Sequence, residues 1–583
     1  MDRKGIIAIV LCLVVLVWWQ LKTQREMDEW RRANPGYATE QTQTPQPSAT
    51  TPGQTAHTAQ TPRTAPLIHA ETEEPPSLTP ETPEVPEQKL VVRTENVEYT
   101  FTSHGGGIAT ARLLNHDAPG NHDDVVLNTL SHHPIGAVMD DPVIRGNSAY
   151  ELSEKEGKVI ATRRVPNGPL ITKTFTPGTD EKTSYTVDLE VTFSNPNPQP
   201  VEKAGYYLYT GAIGPLHPKE LAYYTGLDWS AAGEIERVDA NVFDAKRIPV
   251  LGIERAPART YYLETPGNLL WAGIKNQYFT NLITAAEENP ALGVWAERVA
   301  METPENHGLA AALAMPSFKL GNGETLTQKF TLYVGPKEYQ RLARLGENQA
   351  ELMNFGIFKL ICIVLLNAMN WLEGYLGSYA LAIIVLTFIV RGALWPVQGK
   401  ATSSMKRMQL LQPKMAEMKE KFKDDPARMN QEMMKLYKDY GVNPFAGCLP
   451  MLIQIPIFFG FYSMLGTAVE LRHSSFLWVN DLSLPDTIGH LLGFPINILP
   501  LMMAGTMVWQ MQLTPRSGDA MQQRIFMFMP LMFVVFTYNF ASALALYYTV
   551  QNILSILQLY VTRNEPMPEL VKKNTPKPGR KRK

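Results

Sequence analysis

Five runs free of Asp, Glu and His, with a single Arg among them, fill the last third of this 583-residue chain. They lie near 377–395, 445–469, 494–513, 525–541 and 543–562. Each approaches the ~20 residues that an α-helix needs to cross a bilayer. That much uncharged apolar chain rules out a wholly soluble protein and sets the expectation of a multi-pass α-helical membrane protein. Charge divides the chain in the same way. Residues 5–390 carry 30 Lys/Arg against 43 Asp/Glu, whereas from Arg391 onward the balance is 22 against 12. An acidic first part joined to a basic second part implies two environments. Cys12, Cys362 and Cys448 all sit in apolar stretches, which excludes a disulfide-stapled scaffold.

A further apolar run, Ile6 to Leu21, follows Arg3 and Lys4 and ends in Trp18-Trp19-Gln20 rather than a small-residue cleavage site. Paired Trp suits a membrane interface, so residues 1–22 are expected to be an uncleaved transmembrane anchor. Residues 23–88 read as a disordered tether, with 11 prolines among the Thr, Gln and Ala of 34–88. The pattern then changes to period two. Tyr185, Val187, Leu189, Val191 and Phe193 alternate with polar residues before the Asn195-Pro-Asn-Pro turn, and 97–101, 206–209 and 330–334 behave alike. This predicts a large all-β sandwich over 89–350, closed by a helix from about Lys337 through Met353.

Loop charges set the expected topology. The segment 391–442 holds 11 Lys/Arg, 514–524 holds two and the tail 563–583 holds eight, while 471–493 and the turn near 541–543 share only Arg472. Placing every basic loop in the cytoplasm requires five spans after the β domain. Residues 351–376 are then expected to hold an interfacial amphipathic helix rather than a sixth span. With the anchor this leaves both termini cytoplasmic and the β domain outside.

Arg391 is the one charged side chain in the five runs. A mid-membrane Arg costs about 2.5–3.5 kcal/mol on insertion scales, so it is expected to face a wet bundle interior, the alternative being that it snorkels to the headgroups. Thr387 lies one turn earlier on the same face. Gln454, together with Tyr548, Gln551, Asn552 and Ser555 of the last run, can line the same space, and Gln510 and Gln512 lie near the end of the third run. Phe533 is expected to face lipid. Residues 399–441 read as a cytoplasmic helical hairpin, with Asp425-Pro426 starting its second helix and Gly441 stopping it. Lys406, Arg407, Lys414 and Lys419 stud the first helix, and 17 of the 25 methionines fall between Met405 and Met532. Carboxylate-free spans argue against coupled transport. Gly105-Gly106-Gly107 lacks the Lys-Ser/Thr of a phosphate loop, and His122, Asp123, Asp124, His132 and His133 lack metal-site spacing. No cofactor, metal or small-molecule substrate is expected.

Several stretches resemble the YidC/Oxa membrane insertases: Thr387-Phe-Ile-Val-Arg-Gly, Gln431-Glu-Met-Met-Lys-Leu-Tyr-Lys and Asn443-Pro-Phe-Ala-Gly-Cys-Leu-Pro-Met-Leu-Ile-Gln-Ile-Pro-Ile-Phe. Met521-Gln-Gln-Arg-Ile-Phe-Met-Phe-Met-Pro and Leu546-Tyr-Tyr-Thr-Val-Gln-Asn continue the match in the family's order. The layout is similar to the Gram-negative form. The resemblance implies a β-supersandwich, a five-helix core over 377–562 and a non-enzymatic activity: inserting, folding and assembling inner-membrane proteins, alone or with the Sec translocon. It further implies that Arg391 attracts acidic residues of an incoming segment and that Thr387 and Tyr548 line its path into lipid. The hairpin would recruit substrates, with Lys406, Arg407, Lys414 and Lys419 on its surface. The basic tail would touch the ribosome or anionic lipid, with signal-recognition components among the partners. The competing readings are a secondary transporter and a membrane-tethered carbohydrate-active β domain.

Overall fold

The computed structural model describes residues 85–119, 123–144, 146–217, 220–247, 254–301, 307–423, 425–440, 442, 449–514 and 520–563. The expected anchor at 1–22, nearly all of the tether, the motif residues 443–448 and the basic tail lie outside these residues. The described chain divides into two compact units, one ending at Asn354 and the other beginning at Phe355.

The first unit is built from antiparallel sheets. The largest has nine strands, in edge-to-edge order Glu234–Asp239, Gly226–Ala231, Leu269–Lys275, Phe279–Ala285, Thr325–Pro336, Thr186–Ser194, Leu170–Pro177, Lys158–Arg164 and Glu151–Lys155. The strand Thr186–Ser194, next to the central one, shows why alternation specifies the fold. Val187, Leu189, Val191 and Phe193 are wholly buried while the intervening Thr and acidic residues point outward. A slip of one residue would reverse every one of them. Leu189 pairs with Phe330 on one side and Phe175 on the other. Five further strands, led by Tyr206–Ile213 and His307–Met315, form a second sheet packed on the first. Both leading strands are buried along almost their whole length and therefore lack alternation. Ala310, Ala312 and Ala314 leave the room that Trp295, Tyr207 and Tyr209 fill.

The triple glycine serves close packing. A Cβ on Gly107 would stand 2.3 Å from the Ile135 carbonyl oxygen, and the Gly105 carbonyl accepts a 2.6 Å hydrogen bond from the fully buried Lys173. Burial holds the Lys173 ammonium well below its ordinary pKa. His133 hydrogen-bonds Asn147 at 2.7 Å and packs edge-on against Tyr209. The helix expected from Lys337 through Met353 is interrupted. Helix α1 covers Tyr339–Leu345, then Gly346, Glu347 and Asn348 take positive φ values and a single 3-10 turn, Gln349–Met353, follows. Three positive-φ residues in a row cannot continue a right-handed helix.

A buried charge cluster holds that closing turn against the large sheet. Asp228 accepts hydrogen bonds from Lys275 and from Arg237, the latter at 3.1 Å. Arg237 also donates to the Glu351 carbonyl at 2.6 Å, and Lys275 to the Leu352 carbonyl at 3.2 Å. Lys337 is buried nearby, and burial, reinforced by the Lys275 charge, pushes its ammonium down to about 7. In the unfolded chain a Lys holds its proton to about pH 10. Between pH 7 and 9 the unfolded state therefore binds the proton that folded Lys337 has released, and stability rises with pH. Urea unfolding of the β unit, followed by near-ultraviolet circular dichroism, is expected to show a smaller rise in Lys337→Met, by up to about 1.4 kcal/mol per pH unit. Equal slopes in the two proteins would refute the assignment.

The second unit is helical. α2 covers Lys359–Leu376, α3 Tyr379–Lys421, α4 Pro426–Tyr440, α5 Leu449–Thr467, α6 Ile498–Leu513, α7 Ala520–Thr537 and α8 Ser542–Arg563. All five expected spans contain helices, with two departures. The first helix of the hairpin is no separate element: α3 runs unbroken for 43 residues through Pro396 and Pro413. The third span does not begin at 494, because Thr487–Leu491 and Phe494–Asn497 form a β-hairpin and α6 starts only at Ile498. By length and composition, Gly356–Leu376, Tyr379–Lys421 and Ser542–Thr562 are long enough to cross a membrane.

α2 buries Cys362, Leu365, Leu366, Met369 and Leu372 on one stripe. Its other face, expected to be polar, is largely apolar as well, with Leu360, Val364, Trp371 and Tyr375 exposed. Gly377, at φ 64°, closes α2 by donating to the Glu373 carbonyl at 2.7 Å and lets α3 fold back. Against α5 the close approach depends on Gly460, where a Cβ would lie 2.8 Å from Ile361.

Candidate functional site

α8 is the hub of the helical unit and touches α3, α5, α6 and the loop before α6. Its polar residues recur at three- and four-residue spacing, so they stack in rows that face different neighbours. The row Tyr547, Gln551, Ser555, Gln558 and Thr562 looks toward α3 and α5. Near its middle the Arg391 guanidinium donates to Ser555 Oγ at 2.5 Å. Arg391 is only 7% exposed and its Nε has no partner among the described residues. It turns into the bundle rather than snorkelling. Ser555 in turn donates to the Gln551 carbonyl at 2.8 Å, which orients its oxygen toward the cation.

One turn along the same row, Gln551 donates to Gln454 of α5 at 2.8 Å, and Gln454 donates to the Tyr547 hydroxyl at 3.1 Å. Tyr547 stacks on Phe461 at 3.9 Å between ring centroids. Arg391, Ser555, Gln551, Gln454 and Tyr547 thus make a polar seam between three helices, with one positive charge and no salt bridge to it among the described residues. Thr387 is buried a turn before Arg391, but its hydroxyl donates back to the Ile383 carbonyl at 2.6 Å.

The other expected lining residues point elsewhere. Asn552 donates to the Met503 carbonyl at 3.3 Å and to Thr506 at 3.2 Å, both on α6. It is one residue, or about 100° of helical turn, away from Gln551. Tyr548 lies in an aromatic group with Phe458 and Phe533, at 5.3 and 5.0 Å between centroids. Phe533 is therefore packed against the seam's aromatic edge, not turned to lipid as expected, whereas Val535 of the same helix is 70% exposed. Gln510 is half-buried and Gln512 exposed, apart from the seam. Sequence reasoning missed Tyr547, Thr506 and Gln558. The first and last were within reach, since 547, 551, 555, 558 and 562 follow the i, i+4, i+8, i+11, i+15 pattern.

Asp425 caps α4 through the Arg428 amide at 3.0 Å, with Pro426 in the first helical position. Lys414 donates to the Tyr440 hydroxyl and sits over its ring, and Leu411 and Leu436 are buried in the hairpin. Arg407, Lys414 and Lys419 are exposed. Lys406 differs. Its ammonium donates to the Thr562 carbonyl at 2.6 Å, at the end of α8 where the last carbonyls lack helical partners. Together with the Gln558 bond to the Trp395 carbonyl at 3.4 Å, it clamps α3 alongside α8 beyond the Arg391 site.

Comparison with known proteins agrees with this division of the chain. Residues 371–569 match the family described as 60Kd inner membrane protein, and residues 89–368 match the YidC periplasmic domain. A membrane protein insertase YidC from Syntrophus aciditrophicus is 30% identical over 96% of this chain and 99% of its own length. Its counterpart from Syntrophobacter fumaroxidans is 36% identical, with coverage of 70% and 71%. A solved structure of an active YidC insertase aligns with 82% of this chain and 93% of its own, at 19% identity and a TM-score of 0.34. Family activity is insertion, not catalysis, and its clients are nascent membrane proteins. With an all-β unit, a unit of apolar helices and near-full-length relatives, the chain belongs to the YidC family of inner-membrane protein insertases.

Proposed function

We propose that the polar seam around Arg391 is the insertion path, a hydrophilic groove that receives the polar end of a client while its apolar segment passes into lipid. The observation that carries this reading is the burial of Arg391 against Ser555 with no acidic partner among the described residues. A buried cation without a counter-charge is costly, and an acidic client residue would supply one. The clustered Gln551, Gln454 and Tyr547 keep the site polar, so a short hydrophilic segment entering it avoids the ~30 Å of hydrocarbon of a full crossing. Burying the client's apolar span provides the driving force without a nucleotide.

In this reading the basic loops face the cytoplasm, both termini lie inside and the β unit lies in the periplasm. α2 rests at the membrane interface. The exposed Arg407, Lys414 and Lys419 serve recruitment. Lys406 holds the hairpin to α8. The Sec translocon, the ribosome with signal-recognition components, and anionic lipids are the partners, the last two through the tail. Thr387 and Tyr548 remain the positions to watch, one beside the cation and the other at the aromatic edge next to α7.

Photocrosslinkers placed at Thr387 and Tyr548 are expected to label ribosome-bound nascent chains of a small membrane protein, with the labelled position moving as the chain lengthens. Val535 is the lipid-facing control, because Phe533 packs against Tyr548. Equal labelling at Val535 would refute the path.

A further inference from the structure

The loop between α5 and α6 carries a feature that the insertion path does not use. Thr487–Leu491 and Phe494–Asn497 pair as a two-stranded ribbon, with Leu491 directly opposite Phe494. Its tip is the two-residue turn Leu492-Gly493, at φ 52° and 83°. Both values are positive, as the tight hairpin turns that match strand twist require, and Asn, Asp or Gly normally takes the first position. Leucine in that conformation is strained. Here it is also 92% exposed, with Phe494 76% and Leu491 65% exposed beside it. Residues 487–514 contain no Asp, Glu, Lys or Arg. An apolar side chain held at the outermost point of a turn, against local preference and with nothing among the described residues covering it, is suited to a nonpolar environment outside the protein.

The base of the ribbon is rigid. Thr487 donates to Asn497 at 2.7 Å, Asn497 donates to the Tyr538 carbonyl at 2.7 Å, and the Tyr538 hydroxyl donates to the Pro495 carbonyl at 2.7 Å. Asp486 accepts from the Leu499 amide at 2.6 Å and from the Trp478 indole at 3.1 Å. The tip is therefore aimed, and cannot fold back to cover its own apolar residues. The ribbon runs straight into α6, whose Leu501, Met502, Val508 and Trp509 are exposed and lipid-facing in a membrane protein. α6 has 16 residues, a rise of only ~24 Å at ~1.5 Å per residue, short of the ~30 Å hydrocarbon core. The ribbon ends where this short helix begins.

We propose that residues 487–497 form a membrane anchor, whose Leu491, Leu492 and Phe494 enter the interface of the leaflet at the α5-end and α6-start side of the bundle. Lipid is the occupant because the apolar surface is continuous with that of α6. The ribbon stays at the headgroup–acyl boundary, since its two strands pair only with each other among the described residues and hydrocarbon does not tolerate open strand edges. The exposed His490 suits that level. Such an anchor would pin the α6 end at a fixed depth while clients pass along α8, and it stands whether or not the Arg391 seam is the insertion path.

The test places an environment-sensitive fluorophore at Leu492→Cys in the full chain, with Cys12, Cys362 and Cys448 replaced by alanine, reconstituted in phosphatidylethanolamine–phosphatidylglycerol vesicles. Lys419→Cys, exposed on α3, is the water-facing control. Doxyl-labelled lipid is expected to quench the Leu492 probe several-fold more than the control, and iodide several-fold less. Iodide quenching equal to the control would overturn the proposal. So would protection from both quenchers, which would mean that protein covers the tip. In a second arm the probe sits at His490→Cys and Leu492→Asn is added, a residue the turn prefers. Doxyl quenching is expected to drop several-fold with circular dichroism unchanged, and undiminished quenching would overturn the assignment of Leu492 as the inserting residue.

Discussion

Arg391→Ala is expected to impair insertion of clients with acidic translocated ends at least about fivefold more than clients with neutral ends. The size follows from Coulomb's law. Two unit charges ~4 Å apart attract by about 1 kcal/mol in bulk water and about 4 kcal/mol at an effective dielectric constant of about 20. A wet seam lined by Gln551, Gln454 and Tyr547 lies between these limits. The lower limit already gives about a fivefold effect, since 1.4 kcal/mol is tenfold. Insertion would be measured by protease protection of matched clients in proteoliposomes, at two salt concentrations, because a partly screened attraction weakens as salt rises. Arg391→Lys should retain part of the preference, keeping the charge but losing the fixed fork that meets Ser555. Equal loss for acidic and neutral clients would mean that Arg391 shapes the seam without attracting charge.

The second large effect belongs to the β unit. Asp228→Ala is expected to lower its unfolding free energy by about 3–5 kcal/mol, the range for removing one partner of a buried ion pair. Asp228 is the carboxylate shared by Lys275 and Arg237, and both cations also hold carbonyls of the closing turn at Glu351 and Leu352. Without Asp228, the 5%-exposed Lys275 is left beside the buried Lys337 and the Arg237 guanidinium. Denaturant unfolding of the full chain, read by near-ultraviolet circular dichroism, measures the loss. Asp228→Ala, Lys275→Met together should recover part of it, because replacing both partners removes the unpaired charge. A loss below about 1 kcal/mol in the single variant, the scale of an exposed pair, would show that the cluster is solvated.

Much of this protein is legible in its sequence, because burial writes periodicity directly into a chain. Period-two alternation located Thr186–Ser194 and Thr325–Pro336, and long apolar runs located a helix in each of the five expected spans. Asp425-Pro426 marked the start of α4 to the residue. These signals are local, since each depends only on which faces of one element meet water. The row on α8 was only partly resolved, because helical spacing tells which residues share a face but not which helix that face meets. Gln551 and Asn552 are adjacent in sequence, yet one joins Gln454 on α5 and the other Thr506 on α6.

What the sequence by itself determined, then, is the division into a β unit and an apolar helical unit, together with Arg391 as the one charged side chain in the five apolar runs. The tertiary structure alone decided how the polar residues are shared out. It bound Lys406 to the end of α8, turned Phe533 toward Tyr548, and joined Asp228 to Lys275 and Arg237 across strands and a closing turn far apart in the chain. It also raised the apolar ribbon at 487–497, whose second strand, Phe494–Asn497, reads in sequence as the start of a span. The physical reason is common to these cases. Hydrophobic burial depends on a residue's own side chain and is roughly additive along the chain, whereas a hydrogen bond or ion pair requires a particular partner at a particular distance and angle, and only the packed fold supplies that partner.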